Sequence, residues 1–266
     1  MTPRGVLLIG HGTRDAIGTA EFFQLSDRLT ERLAGSAIVR PCLLEFQQPT
    51  IAEAWCSLVN EGVCNVVAAP LLLFSAGHAK SDIPDEIAAA REKNPGSDHV
   101  AVSYSQPISR QSAMIDAVRS RLRETLSRGT ATSGRTAIVM VGRGSRDVCA
   151  SADMRVLSEV AVRGRDPLTG LSIADEFQIP SDGLRTTFYA MATPRLPETL
   201  AEIAESGLFQ RVIVHPHLLF AGRLYDAIVE QVSQAAGCGV EFYVSEYLGP
   251  SESIAAAVAA RIVAPS

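Results

Sequence analysis

Two histidines and a glutamate, His11, Glu45 and His78, stand where their chemistry could be pooled. Each follows an apolar stretch of the kind that forms a parallel strand: Val6-Leu7-Leu8-Ile9 before His11, the segment from Ile38 before Glu45, and Cys64–Leu72 before His78. Strand ends in a parallel sheet lie side by side, at the crevice where open α/β sheets take their ligands. The three groups are therefore expected to converge. Two imidazoles and a carboxylate make an N/O ligand set for a borderline divalent metal such as iron, cobalt, nickel or zinc. Imidazoles as a class titrate near neutrality, and all three groups accept protons. One site could thus hold a metal transiently and take protons from whatever receives it.

An internal repeat separates these residues from their framework. His11 sits in Gly10-His11-Gly12-Thr13-Arg14-Asp15, where glycines allow a tight turn and close approach of a ligand. A second copy, Gly142-Arg143-Gly144-Ser145-Arg146-Asp147, follows Ile138-Val139-Met140-Val141 and has Arg143 in place of the histidine. Leu44-Glu45-Phe46-Gln47-Gln48-Pro49 matches Tyr189-Ala190-Met191-Ala192-Thr193-Pro194, with Ala190 in place of Glu45. Pro70 through His78 matches Pro216 through Arg223 with one residue dropped, and Arg223 replaces His78. Glu45 and His78 are as far apart as Ala190 and Arg223; the longer spacing from Arg143 to Ala190 is taken up by an insertion around 165–182. Any one of the trio alone reads as readily as a structural histidine or a solvated carboxylate. Their joint loss from a copy that keeps the apolar framework marks them as residues kept for function.

The elements that must position the trio alternate along the chain. Strands are expected near Gly5–Gly10, Ile38–Glu45, Cys64–Leu72 and His99–Tyr104, with helices near Ala16–Leu33, Thr50–Glu61 (opened by Pro49), Asp82–Lys93 and Arg110–Arg128. The second half repeats the order, with strands near Ala137–Val141, Leu184–Tyr189, Arg211–Pro216 and Val240–Ser245. Alternation of this kind implies parallel sheets with right-handed crossovers. The fold expected is α/β, with two tandem doubly wound lobes, each a mainly parallel sheet flanked by helices. Residues 1–128 would form the lobe with the active site, 129–135 a polar linker, and 136–266 a degenerate repeat lobe.

Composition excludes several classes. The 266 residues are 47% hydrophobic and 20% charged, as in soluble globular proteins. A net charge of −5 argues against a general nucleic-acid binder and requires local basic groups to hold any anionic ligand. No apolar run reaches the ~18 residues of a membrane span, and the start of the chain lacks a secretory signal, so a cytoplasmic protein is expected. Cys42, Cys56, Cys64, Cys149 and Cys238 form no Cys-x-x-Cys and read as small buried residues in a reducing compartment. His215 and His217 point to one face of a strand and fit either an ordinary core role or a metal site. His99, at a strand start, is assigned no role.

At this point the sequence resembles the class II tetrapyrrole chelatases, specifically the long, two-lobe sirohydrochlorin chelatases. Gly-His-Gly-Thr-Arg at 10–14, Leu-Glu-Phe at 44–46 and Pro-Leu-Leu-Leu-Phe-Ser-Ala-Gly-His-Ala-Lys-Ser-Asp-Ile-Pro at 70–84 carry the resemblance, which runs through both halves. It implies insertion of Co2+ or Fe2+ into sirohydrochlorin with release of two protons, in cobalamin or siroheme biosynthesis, without a nucleotide cofactor. By the same resemblance His11 and His78 would bind metal and take up pyrrole protons, with Glu45 as a further ligand or proton acceptor. Sirohydrochlorin carries carboxylates around its rim. Arg14, Lys80, Arg143, Arg146 and Arg223 are candidate partners for them, and Ser75, Ala76 and Gly77 complete the candidate substrate contacts. Arg143 and Arg223, both replacing histidine, suggest a dead metal site turned into a carboxylate clamp.

The second lobe departs from the active pattern at all three places, so one working site per chain is expected. The fused pair of lobes mimics a homodimer, which makes a monomer the expected state. The histidine-rich tail and cluster-binding cysteine motif of some long members are absent, so no iron–sulfur cluster is expected. Two other classes compete. A histidine-dependent phosphohydrolase also places His-Gly after a strand, but usually has arginine where Gly10 stands. A non-catalytic tetrapyrrole or metal carrier would bind without turnover.

Overall fold

The computed structural model describes residues 4–74, 82–94, 96–128, 135–235 and 239–263. The first sheet contains β1 (Arg4–Gly10), β2 (Ala37–Leu43), β3 (Asn65–Pro70) and β4 (Ala101–Tyr104). All pairs are parallel and the order is β2-β1-β3-β4, so β1 and β3 are central. Val6 to Ile9 are buried on both faces, as the unbroken apolar run requires. The helices that follow are α1 (Ala16–Arg32), α2 (Ile51–Asn60), α3 (Asp82–Glu92) and α4 (Ser112–Leu126). The Asp15 carboxylate accepts from the Gly18 N–H and starts α1 immediately after the histidine loop. Thr50 and Glu53 form a reciprocal capping box that starts α2. Pro49 lies one residue ahead of that cap, in a cis peptide bond, and not inside the helix as expected from sequence. Leu7 and Ile9 pack with Trp55 and Leu58 of α2 and Ile83 and Ile87 of α3. Each such fully buried side chain contributes about 1.5–3 kcal/mol.

The second sheet repeats this plan. It contains β5 (Thr136–Gly142), β6 (Leu184–Phe188), β7 (Arg211–Pro216) and β8 (Glu241–Val244), parallel throughout, in the order β6-β5-β7-β8. The helices of this half of the chain are α5 (Val148–Arg163), α6 (Ile173–Glu176), α7 (Leu196–Ser206) and α8 (Arg223–Ala235), and the chain closes with α9 (Glu252–Val263). Val139 and Val141 pack with Leu196, Leu200, Val212, Val214 and Ile228. The insertion around 165–182 carries α6 and is tied to α4, where Arg123 pairs with Asp166 at 3.1 Å and with Glu176 at 2.8 Å. Among the described residues no helix is long and apolar enough to cross a membrane.

The compact units cut across the two sequence repeats. One unit comprises Met1–Met114 with Pro250–Ser266, and the other Ile115–Gly249. The closing helices are exchanged. In the first unit α9 buries Ile254, Ala255, Val258 and Ile262, and packs on α1. The Arg28–Glu252 ion pair at 2.7 Å and a bond from Arg4 to the Ile262 carbonyl hold it there. In the second unit α4 takes the same place: Arg119 donates to the carbonyls of Val160, Ala161 and Gly164 at the end of α5. The two repeats offer equivalent slots for a closing helix. An apolar face at helical spacing says that a helix must dock, not which of the two equivalent slots receives it.

Arg211 fastens α4 in its slot. Its nearly buried guanidinium donates to the carbonyls of Leu126 at 2.9 Å and Thr125 at 3.0 Å, and lies over the Tyr243 ring. These carbonyls lie at the end of the helix, where backbone acceptors outnumber donors, and Thr125 also accepts from the Arg128 N–H at 3.2 Å. Arg211→Met is expected to lower stability by about 2–4 kcal/mol, because it removes the charge-assisted hydrogen bonds that hold the end of α4. Urea denaturation read by circular dichroism checks this.

Candidate functional site

His11 is the first residue after β1, and Glu45 the second after β2. The pairing of these strands continues past their ends. The Leu44 N–H donates to the Gly10 carbonyl at 3.0 Å and the Glu45 N–H to the His11 carbonyl at 3.1 Å. His11 and Glu45 are thus joined through the backbone, and both side chains are exposed. Gly12 makes the approach possible. Its φ is +91°, and a Cβ there would lie 2.1 Å from the Glu45 carbonyl oxygen. The Thr13 hydroxyl accepts from the Asp15 N–H at 3.1 Å and shapes the turn into α1. The Arg14 guanidinium lies 4.9 Å from the centroid of the Phe46 ring.

The third strand end lies alongside, since the Leu71 N–H donates to the Ile9 carbonyl at 2.8 Å. Ser75, Ala76, Gly77, His78 and Lys80 lie outside the described residues. Among the described residues no group of three or more His, Cys, Asp or Glu side chains is placed to hold a metal ion. The structure therefore brings together two of the three residues singled out from sequence, His11 and Glu45, at adjacent strand ends.

The second unit repeats these strand-end bonds without the imidazole and the carboxylate. Tyr189 N–H donates to Gly142 at 2.9 Å and Ala190 N–H to Arg143 at 2.9 Å. Gly144 has φ +88°, and a Cβ there would meet the Ala190 carbonyl oxygen at 1.7 Å. The Ser145 hydroxyl accepts from Asp147 N–H as Thr13 does from Asp15. Arg143, Arg146 and Arg223 are exposed.

Phe46 and Met191, matched in the repeat but assigned no role from sequence, share an unusual conformation. They occupy the same position, directly after Glu45 and Ala190, with φ of 70° and 60°. Both are exposed, Phe46 by 54% and Met191 by 47%. Sequence records the bulk and apolarity of the two residues; the left-handed backbone and the exposure come only from the structure.

His215 and His217 lie fully inside the second unit. His215 Nδ1 and the Ser245 hydroxyl are 2.7 Å apart, and the two imidazole centroids are 6.3 Å apart. Burial pushes His215 down to about 3, with His217 and Arg121 adding to the effect, and pushes His217 down to about 4. Cys42 is also buried, and desolvation pushes its thiol up to about 12. Cys56 and Cys64 are half-buried and Cys149 is exposed, which corrects the expectation that all five cysteines are interior; Cys238 lies outside the described residues.

The fold and the repeated strand-end loops are those of a chelatase-like, two-lobe α/β protein. The CbiX family model matches residues 5–125 and again 137–264, and the chain belongs to that family, the long, two-lobe sirohydrochlorin chelatases of class II. A sirohydrochlorin ferrochelatase of Priestia megaterium is 29% identical over 250 residues, spanning 94% of this chain and 86% of that protein. A sirohydrochlorin cobaltochelatase of the same organism is 28% identical over 248 residues, 92% of this chain and 74% of that protein. Among solved structures, SirB from Bacillus subtilis with Fe3+ superposes with a TM-score of 0.77 over 98% of this chain and 94% of that one, at 24% identity, and so shows the shared fold.

Two outcomes are expected. Gly12→Ala combines a disfavoured φ with a backbone collision and should cost roughly 2–4 kcal/mol, measurable by chemical denaturation. Second, the protein should weaken in acid. Below about pH 6.5 the unfolded chain protonates His215 and His217 while the folded chain resists, so the stability they leave intact above that pH is lost as pH falls toward 4. The loss should be on the order of 2 kcal/mol per histidine by pH 5. Ala69 and Leu71 hold the matching positions in the first repeat, so His215→Ala with His217→Leu should flatten a plot of denaturation midpoint against pH.

Proposed function

We propose that this chain is a sirohydrochlorin chelatase, exchanging two pyrrole protons of the macrocycle for one divalent metal, Fe2+ or Co2+. The observation that carries the reading is the backbone-coupled pair His11 and Glu45, exposed at neighbouring strand ends, in a CbiX-family chain whose own second unit keeps the same framework with Arg143 and Ala190 instead. The similarity to both a ferrochelatase and a cobaltochelatase of one organism supports the substrate and leaves both metals in play.

In this reading His11, His78 and Glu45 bind the incoming ion, displace part of its water, and pass it to the ring nitrogens. Borderline N/O ligands suit that task because they bind such ions without the soft preference of thiolates. As the metal enters, the pyrrole N–H protons leave to imidazole or carboxylate acceptors and then to water. Arg14 and Lys80 would pair with rim carboxylates, Ser75, Ala76 and Gly77 complete the candidate substrate contacts, and Arg143, Arg146 and Arg223 are the second lobe's own candidate carboxylate partners, with Arg143 and Arg223 as its candidate clamp. The working unit is a cytoplasmic monomer with one active lobe and no nucleotide or iron–sulfur cofactor.

Anaerobic absorbance assays with sirohydrochlorin and Fe2+ or Co2+ test the proposal. The wild type should accelerate the shift to the metallated spectrum. His11→Ala and His78→Ala should each slow it by about 100-fold or more, the scale of a lost acid–base or ligand group. Stoichiometric binding without acceleration would make the protein a carrier.

A further inference from the structure

Phe46 holds a conformation and an environment that its side chain disfavours. A φ of 70° lies in the left-handed region, which a bulky L-residue occupies only under strain. Glycine or asparagine is the usual occupant of such a turn. The ring also gains little burial in return, being 54% exposed. The turn itself needs no aromatic group, since it is closed by backbone, Gln47 N–H to the Glu45 carbonyl at 2.9 Å. The second repeat closes the same turn with Ala192 N–H to Ala190 at 2.7 Å, and there too a large apolar residue, Met191, sits exposed with φ of 60°. The polar trio has been replaced in that copy, yet the exposed apolar side chain at this position has been kept.

Neighbouring side chains point to what the ring meets. Among the described residues of the first unit, the large exposed apolar side chains are Ile17, Phe46, Tyr104 and Val263. Ile17 opens α1, directly after the His11 loop, and Tyr104 ends β4, so both lie with Phe46 at the carboxyl end of the sheet. Arg14 stands over the Phe46 ring at 4.9 Å. An exposed aromatic face with a guanidinium beside it matches a ligand that is flat and apolar at its centre and anionic at its rim. We propose that Phe46 is a substrate-positioning residue that packs against the face of the tetrapyrrole, while Arg14 pairs with a rim carboxylate, so that the ring nitrogens are presented to His11 and Glu45. This rests on the chelatase reading and adds to it a specific contact with the macrocycle.

The test separates binding from folding. Phe46→Gly removes the side chain and the φ penalty together, so its thermal midpoint should equal or exceed that of the wild type. Titration with metal-free sirohydrochlorin, read by absorbance, should show affinity weakened at least tenfold, with Co2+ binding to the substrate-free protein unchanged. Phe46→Tyr should restore affinity to within about threefold. A Phe46→Gly protein that binds sirohydrochlorin like the wild type, while the wild type inserts metal, overturns the assignment of Phe46 and leaves the chelatase reading standing. A wild type that neither binds sirohydrochlorin nor inserts metal overturns both.

Discussion

The hydrogen bond from the Glu45 N–H to the His11 carbonyl is the constraint on which the site depends. It extends a parallel ladder beyond the last paired residues of β1 and β2, so that two loop residues inherit the rigidity of a sheet. The extension requires Gly12, because any side chain there would occupy the space of the Glu45 carbonyl. Loops ordinarily carry function at the expense of precision. Here the backbone of the loop is fixed while both side chains remain exposed. That division suits groups that must hold an ion and then release it.

The second unit serves as a control within the same chain. It retains the ladder extension, the glycine of positive φ, the hydroxyl that receives the Asp147 N–H and the exposed apolar residue after the turn. It lacks the imidazole and the carboxylate. A framework that persists without these two groups does not need them to fold, so His11 and Glu45 are dispensable to the architecture. The converse also holds. Where the first repeat has Ala69 and Leu71, the second buries His215 and His217, polar rings that weaken it in acid and that the fold does not require.

Much of this was legible in the sequence, for identifiable reasons. Apolar runs such as Val6–Ile9 and Arg211–Pro216 have one stable home, the centre of a parallel sheet, and the strands fall where the runs do. Helix starts near Ala16 and Thr50 were legible as well, and the structure supplies their physical cause in the Asp15 cap and the Thr50–Glu53 capping box. The exchange of α4 and α9 was not legible, because two homologous slots present similar apolar surfaces and only tertiary packing chooses between them. Nor was the position of Phe46, since the sign of φ at a non-glycine residue leaves no mark in composition or periodicity. Exposure of Cys149 was likewise hidden: a cysteine in a helix reads as interior until its face is known.

Charge completes the argument. A protein of net charge −5 does not attract a polycarboxylate through its overall field, so affinity must come from groups at the site. Most arginines of the second unit are committed to structure: Arg119 and Arg211 cap helices, Arg123 pins the insertion, and Arg155 and Arg195 donate to loop carbonyls. Arg143 and Arg146 lie exposed in the loop after β5 and Arg223 exposed at the start of α8, Arg143 and Arg223 at positions held by histidine in the other repeat. A guanidinium stays charged at every physiological pH, whereas an imidazole does not. Replacing histidine by arginine at both positions exchanges groups that can cycle protons for groups that cannot. The exchange leaves the second unit with permanently charged donors at places where the first has titratable rings.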